Sequence, residues 1–172
     1  SYSVTGVQTC ALPILEAEGA PVRPIFLELA FTEDYHVPVK TLVRALAGFN
    51  RVAGPDGSVA AGFKIRCGGS DPSDFPDPDQ VSYALALLAG SRVPFKATGG
   101  IQHAVRRYNP RMRTRVFGFF NLFGAGILAG ALGLDQLKLR KVLVDESAAS
   151  FSFTPLGRLT DWIFLSETVL PD

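Results

Sequence analysis

Two lysines and one glutamate occupy matching places in three apolar runs of this 172-residue chain. Phe63-Lys64-Ile65-Arg66-Cys67 leads into Gly68-Gly69, and Phe95-Lys96-Ala97-Thr98 leads into Gly99-Gly100. Ahead of both lies Pro24-Ile25-Phe26-Leu27-Glu28-Leu29-Ala30-Phe31. Side chains alternate along a strand, so if Leu27, Leu29, Phe63, Ile65, Phe95 and Ala97 meet a layer of helices, then Glu28, Lys64, Arg66, Lys96 and Thr98 face one confined interior. Charges held there must pair or shift their pKa values. A partly desolvated lysine beside another cation loses its proton more readily and attacks carbonyls, while a flanking carboxylate shuttles protons. Paired glycines let backbone amides approach an anion, which makes Gly68, Gly69, Gly99 and Gly100 candidate anion contacts together with Arg66 and Thr98. Two other readings stand beside this one. The charges could form a structural ion network without substrate, and a slip of one residue in strand phase would turn every lysine outward.

The elements that must position these residues alternate in type. Pro24 to Phe31 reads as a strand buried on both faces. Val37 to Phe49 carries Val39, Leu42, Val43 and Leu46 at helical spacing, and Asn50 to Ser58 reads as a loop. Ala61 to Cys67 is a second strand. Asp77 or Asp79 caps a helix over Gln80 to Ala89, and Val93 to Thr98 is a third strand. A basic loop leads to a helix over Val116 to Gly133, and Asp135 opens another that runs to Asp145. Ser150 to Asp172 shows Phe151 and Phe153 in alternation. Strands separated by helices imply parallel pairing through crossovers, in a barrel or an open doubly wound sheet, and the repeated Phe-Lys…Gly-Gly ends suit the mouth of a barrel. The expected fold is α/β, the C-terminal portion of a TIM-type (β/α) barrel. A complete barrel needs roughly 250 residues, so a 172-residue chain reads as a fragment.

Ile25-Phe-Leu-Glu28, Phe63-Lys-Ile-Arg-Cys-Gly-Gly69 and Phe95-Lys-Ala-Thr-Gly-Gly-Ile101 resemble strands five to seven of deoxyribose-phosphate aldolase. The resemblance covers residues 24–102 and implies Lys64 as the Schiff-base nucleophile, with Lys96 lowering its pKa. Ile65-Arg66-Cys67 stands where that family has small hydroxyl residues, and Gln102 where it has an arginine. No Gly-Ser phosphate turn follows, and the family's third-strand acid would lie upstream. Pro94-Phe-Lys-Ala-Thr-Gly-Gly-Ile-Gln-His103, Arg106 and Phe117-Gly-Phe-Phe-Asn-Leu-Phe123 also resemble a group of uncharacterised bacterial TIM-barrel-like proteins, which supports the fold and implies no particular reaction. The function so expected is an aldolase-like lyase acting on a small carbonyl or phosphorylated substrate. The alternatives are a non-covalent isomerase or epimerase with Glu28 as base, and a barrel without catalysis.

Further features are weighed against plainer readings. His103 follows the third strand, where a general acid could sit, although a loop histidine is more often structural. Arg106, Arg107, Arg111, Arg113 and Arg115 crowd one segment; such a run is ordinarily solvated, but beside a strand end it could hold an anionic substrate, with Arg106 the residue chosen. Cys67 reads as packing rather than as a nucleophile. His36 and His103 have no ligand-spaced partners, so neither metal nor cofactor is expected. Phe117 to Leu134 contains no charge and includes Gly126-x-x-x-Gly130, which reaches the lower length limit of a membrane helix; a helix hidden in a barrel wall explains the same apolarity.

Composition sets the frame. Apolar residues make up 47% and charged residues 19%, which suits a sheet wrapped by helices. With a formal charge of +1, no global field favours nucleic acid or an anionic membrane, and the expected partner is a small molecule. Nothing in the chain specifies an oligomeric state. Val4 to Ile14 resembles the in-frame translation of a sequencing-library adapter. Residues 1–14 are therefore read as non-native and 15–172 as a partial barrel domain. Setting Cys10 aside leaves Cys67 alone, and with no secretory signal a cytoplasmic location is expected.

Overall fold

Aliphatic side chains on alternate positions of three short strands find a shared layer of helices, and that burial organises the chain. The computed structural model describes residues 25–53, 61–153 and 162–164. The adapter-like segment, Cys10, the Gly54-to-Gly57 turn and most of the C-terminal tail lie outside the described residues. β1 (Ile25–Glu28), β2 (Ala61–Arg66) and β3 (Phe95–Thr98) form a parallel sheet in the order β1-β2-β3. Among the described residues the sheet is open, and no closed barrel is formed. Between the strands run α1 (His36–Ala53) and α2 (Pro78–Ser91). After β3 come a hairpin of β4 (Arg107–Asn109) and β5 (Thr114–Val116), then α3 (Phe119–Leu132) and α4 (Gln136–Val144). A second antiparallel pair, β6 (Phe151–Phe153) and β7 (Trp162–Phe164), closes the described chain.

The helix face of the sheet is dry. Phe63 and Ile65 are 0% exposed, and Cys67, Val93 and Ala61 are buried with them. Against them pack Val39, Val43 and Leu46 of α1, and Val81, Ala84, Leu85 and Leu88 of α2. Both faces of β1 were expected to be buried, yet Glu28 is exposed, and the strand ends there instead of continuing to Phe31. Asn50, in the last turn of α1, accepts from the Ala61 amide at 2.9 Å and donates to the Ala61 carbonyl at 2.8 Å, so one side chain satisfies the backbone where β2 begins. Asp77 caps α2: its carboxylate accepts from Asp79 N, while Gln80 reaches back to Asp77 N, with Pro78 at the first helical position.

The uncharged stretch from Phe117 to Leu134 divides differently from the expected helix. Val116 pairs with Arg107 in the hairpin, and the helix starts only at Phe119. Its first amides are capped by carbonyls of the preceding loop: Phe119 N donates to His103 O and Phe120 N to Ala104 O, each at 2.8 Å. Gly133, at φ 63°, ends the helix in the left-handed conformation. No described helix is long and apolar enough to cross a membrane. The small residues serve packing at Gly126, where a Cβ would come within 2.5 Å of the Phe95 ring.

Candidate functional site

Strand register brings the three chemical residues into one row. Glu28 lies opposite Lys64, and Lys64 opposite Lys96, on adjacent parallel strands. All three belong to the sheet face turned away from Phe63 and Ile65, and Arg66 and Thr98 form the next cross-strand pair on that face. Glu28 uses both carboxylate oxygens: Oε2 is 2.7 Å from Lys64 Nζ, and Oε1 accepts from Arg66 Nε at 2.8 Å. The side chains of Glu28 and Lys64 are each 28% exposed, so the ion pair is partly shielded although the Glu28 residue as a whole is exposed, whereas the Arg66 side chain is half in solvent. The Lys64 hydrogen bond holds the Glu28 carboxyl below its ordinary pKa; Arg66 works in the same direction, and partial desolvation opposes both.

Lys96 is engaged differently. Its ammonium lies 5.1 Å from the centroid of the Phe26 ring. That ring lies over Gly62, where a Cβ would come within 2.5 Å of it. Glycine at 62 thus lets Phe26 lie flat along the charged face beneath Lys96.

The glycine pairs end the strands by packing on one another. Gly99 and Gly100 adopt φ of 73° and 66°, and a Cβ on either would collide with the carbonyl of Gly68 or of Cys67. Gly68 in turn backs onto Gly100 and the Phe75 ring. Gly69 looks onto the Asp74 carboxylate, which accepts from the Asp71 amide at 3.0 Å. The place where a bound anion was expected beside Gly69 therefore faces a carboxylate.

A cleft of about 420 Å³ opens at the C-terminal ends of β1 and β2. Its walls include Glu28 and Arg66 from the strands, and Asp74, Asp77 and Gln80 from the loop and helix that follow β2. The carboxyl ends of parallel strands are where α/β sheets bind ligands. Lys64, Lys96, Thr98 and His103 do not line this cleft.

His103 and Arg106 belong to a neighbouring structure beyond β3. The His103 carbonyl caps α3. Arg106 precedes the hairpin, with its guanidinium carbon 5.5 Å from the Phe117 ring centroid and its side chain 11% exposed. Burial pushes its pKa below the ordinary guanidinium value, and Glu146 opposes that shift. The segment expected as a basic loop is thus ordered: Tyr108 pairs with Arg115, and Asn109 turns the tip by accepting from the amides of Arg111 and Met112.

Two participants were not legible as such in the sequence. Asn121, 0% exposed, accepts from Arg106 N at 2.6 Å and donates to Val142 O at 2.8 Å and Asp145 O at 2.7 Å, fastening α3, the end of α4 and the start of the hairpin together. Its one sequence signal was polarity within an apolar run. Asp74, which ends a short helical turn over Pro72–Asp74 in the loop after β2, is a cleft wall. Cys67 is buried, and desolvation pushes its thiol up to about 12, as fits packing. Among the described residues no group of His, Cys, Asp and Glu is arranged to hold a metal.

The fold and site define a parallel α/β sheet with one helix-covered face, one charged face and a cleft at its strand ends. No protein-family model, no curated protein and no solved structure matches this chain.

Proposed function

We propose that this chain is part of a cytoplasmic (β/α)-barrel lyase that forms a Schiff base between Lys64 and a small carbonyl substrate. The observation that carries this reading is the cross-strand row of Glu28, Lys64 and Lys96 on one face of a parallel sheet. Parallel sheets are ordinarily covered on both faces, and a charged face suits the lumen of a barrel better than it suits a second layer of helices. The likeness of these strands to those of deoxyribose-phosphate aldolase supports the same assignment.

In the proposed reaction Glu28 takes a proton from the Lys64 ammonium, and the free amine adds to the carbonyl carbon. The carbinolamine oxygen takes up a proton and leaves as water, so that a C=N bond replaces C=O. Loss of the proton from the β-hydroxyl turns the β-carbon into the carbonyl of a departing aldehyde, and the Cα–Cβ bond breaks with its electron pair left on the enamine. Protonation of the α-carbon and hydrolysis then restore Lys64. Arg66 retains Glu28 as Lys64 leaves the pair, Lys96 contributes a neighbouring positive charge, and His103 is a second proton carrier.

Borohydride reduction in the presence of acetaldehyde tests the proposal. A stable mass increment on the Lys64 peptide, lost in Lys64→Ala, is the expected result; an unmodified Lys64 peptide rejects it. A second reading, a non-covalent isomerase with Glu28 as base, is favoured by the cleft, which is lined by Glu28 and Arg66 but not by Lys64. For that enzyme Lys64→Ala weakens substrate binding more than turnover.

A further inference from the structure

Among the described residues, Arg106 Nε is the single buried side-chain nitrogen or oxygen without a hydrogen-bond partner. A desolvated guanidinium nitrogen left unmatched is costly, because its donor has lost water and gained nothing in return. Its ion-pair partner, Glu146 Oε1, lies 4.0 Å away, too far for a hydrogen bond. That same oxygen accepts from Arg115 Nε at 2.5 Å. One carboxylate oxygen therefore stands between two guanidinium groups and satisfies one of them.

The surroundings carry charge of both signs. Arg115 and Arg140 both act electrostatically on Arg106, as do Glu146 and Asp77. Arg140 is committed to Asp79 at 2.7 Å, which leaves Arg106 and Arg115 sharing Glu146. Glu146 is 44% exposed and Arg115 55% exposed, so the carboxylate is free to leave, whereas Arg106 is held by its Asn121-anchored backbone and the Phe117 ring. Asp77, whose charge acts on Arg106, also lines the cleft beside Glu28 and Arg66.

We infer that Arg106 and Arg115 form a binding site for a phosphoryl group, with Glu146 as an internal competitor that occupies it when no ligand is bound. A phosphate offers three oxygens spread about a tetrahedron, so it can meet both Nε donors at hydrogen-bond distance, whereas Glu146 Oε1 lies 2.5 Å from one and 4.0 Å from the other. That the phosphoryl group belongs to the substrate rests on the lyase reading above; the site itself does not.

Isothermal titration of the full chain with inorganic phosphate, at constant ionic strength and with acetate as control, tests the inference. Phosphate binding well above acetate is expected, weakened about tenfold or more by Arg115→Gln, an exposed position that leaves the fold intact, and likewise by Arg106→Lys. Glu146→Gln distinguishes the site from a structural ion pair, since removing the competitor tightens phosphate about tenfold. Acetate binding equal to phosphate, or an affinity that is unchanged or lower in Glu146→Gln, overturns the inference. Lys64→Ala protein must retain phosphate binding. Phosphate binding without a borohydride adduct therefore condemns the lyase reading alone, and an adduct without phosphate binding condemns this site alone.

Discussion

Glu28 and Lys64 lie directly across from one another on adjacent parallel strands, with Oε2 and Nζ 2.7 Å apart. The pair holds the Glu28 carboxyl below its ordinary pKa, so its contribution to stability is present above about pH 4.5 and is lost as pH falls through the depressed folded value. Because the pair is partly exposed, Glu28→Gln is expected to cost about 1 kcal/mol or less at neutral pH. Thermal melts of both proteins from pH 7 to pH 3 check this: the gap between them should narrow below about pH 4.5, and a gap that widens on acidification contradicts the sign.

Asn121 satisfies one amide and two carbonyls from three separate elements. Asn121→Leu strands all three and is expected to destabilise the protein by roughly 3 kcal/mol. Urea unfolding followed by far-UV circular dichroism gives the number. A cost under about 1 kcal/mol would show that those backbone groups find other partners.

Two glycine substitutions should act in opposite directions. At Gly100, with φ 66°, an added Cβ meets the Cys67 carbonyl at 2.3 Å, and both strain and collision fall on backbone that cannot step aside. Gly100→Ala is expected to cost about 2–3 kcal/mol. At Gly130, on the exposed surface of α3, an added Cβ meets no atom within 4 Å, so Gly130→Ala should add about 0.5–1 kcal/mol through helix propensity. Denaturation midpoints of the two variants decide the point.

Cys67 is 1% exposed with its thiol pKa raised to about 12, so the folded protein resists thiolate formation there. The raised value implies a contribution to stability that is complete below the thiol's ordinary value of about 9 and disappears as pH climbs from there toward 12. Peptide mass spectrometry after iodoacetamide treatment at pH 8 should find Cys67 unmodified in the native protein and alkylated in urea. Rapid native labelling of Cys67 would mean that the β2 end opens readily.

Alternation made the central sheet readable. Phe63 and Ile65 against Lys64 and Arg66 assign the two faces of β2, and the repeated Phe-Lys pair brings Lys64 level with Lys96. The helix caps were readable too, because Asp77 and Asp135 carry their chemistry in local spacing. The hairpin from Arg107 to Val116 was not: its strands are three residues long, charged and stabilised by pairing rather than periodicity. The cleft likewise depends on Asp74 and Gln80 folding back toward Glu28, a relation between distant positions that no local pattern carries. The place of Asn121 is of the same kind, since its meaning lies in Val142 and Asp145, more than twenty residues away.

The Asn121 amide has a mechanical corollary. Since one side chain grips the Arg106 backbone with its oxygen and the tail of α4 with its nitrogen, the basic hairpin cannot slide without pulling on that tail. The final turn of α4 is thereby a distant handle on the guanidinium of Arg106. Substitutions there that never touch a ligand should still be felt in how firmly that arginine is aimed.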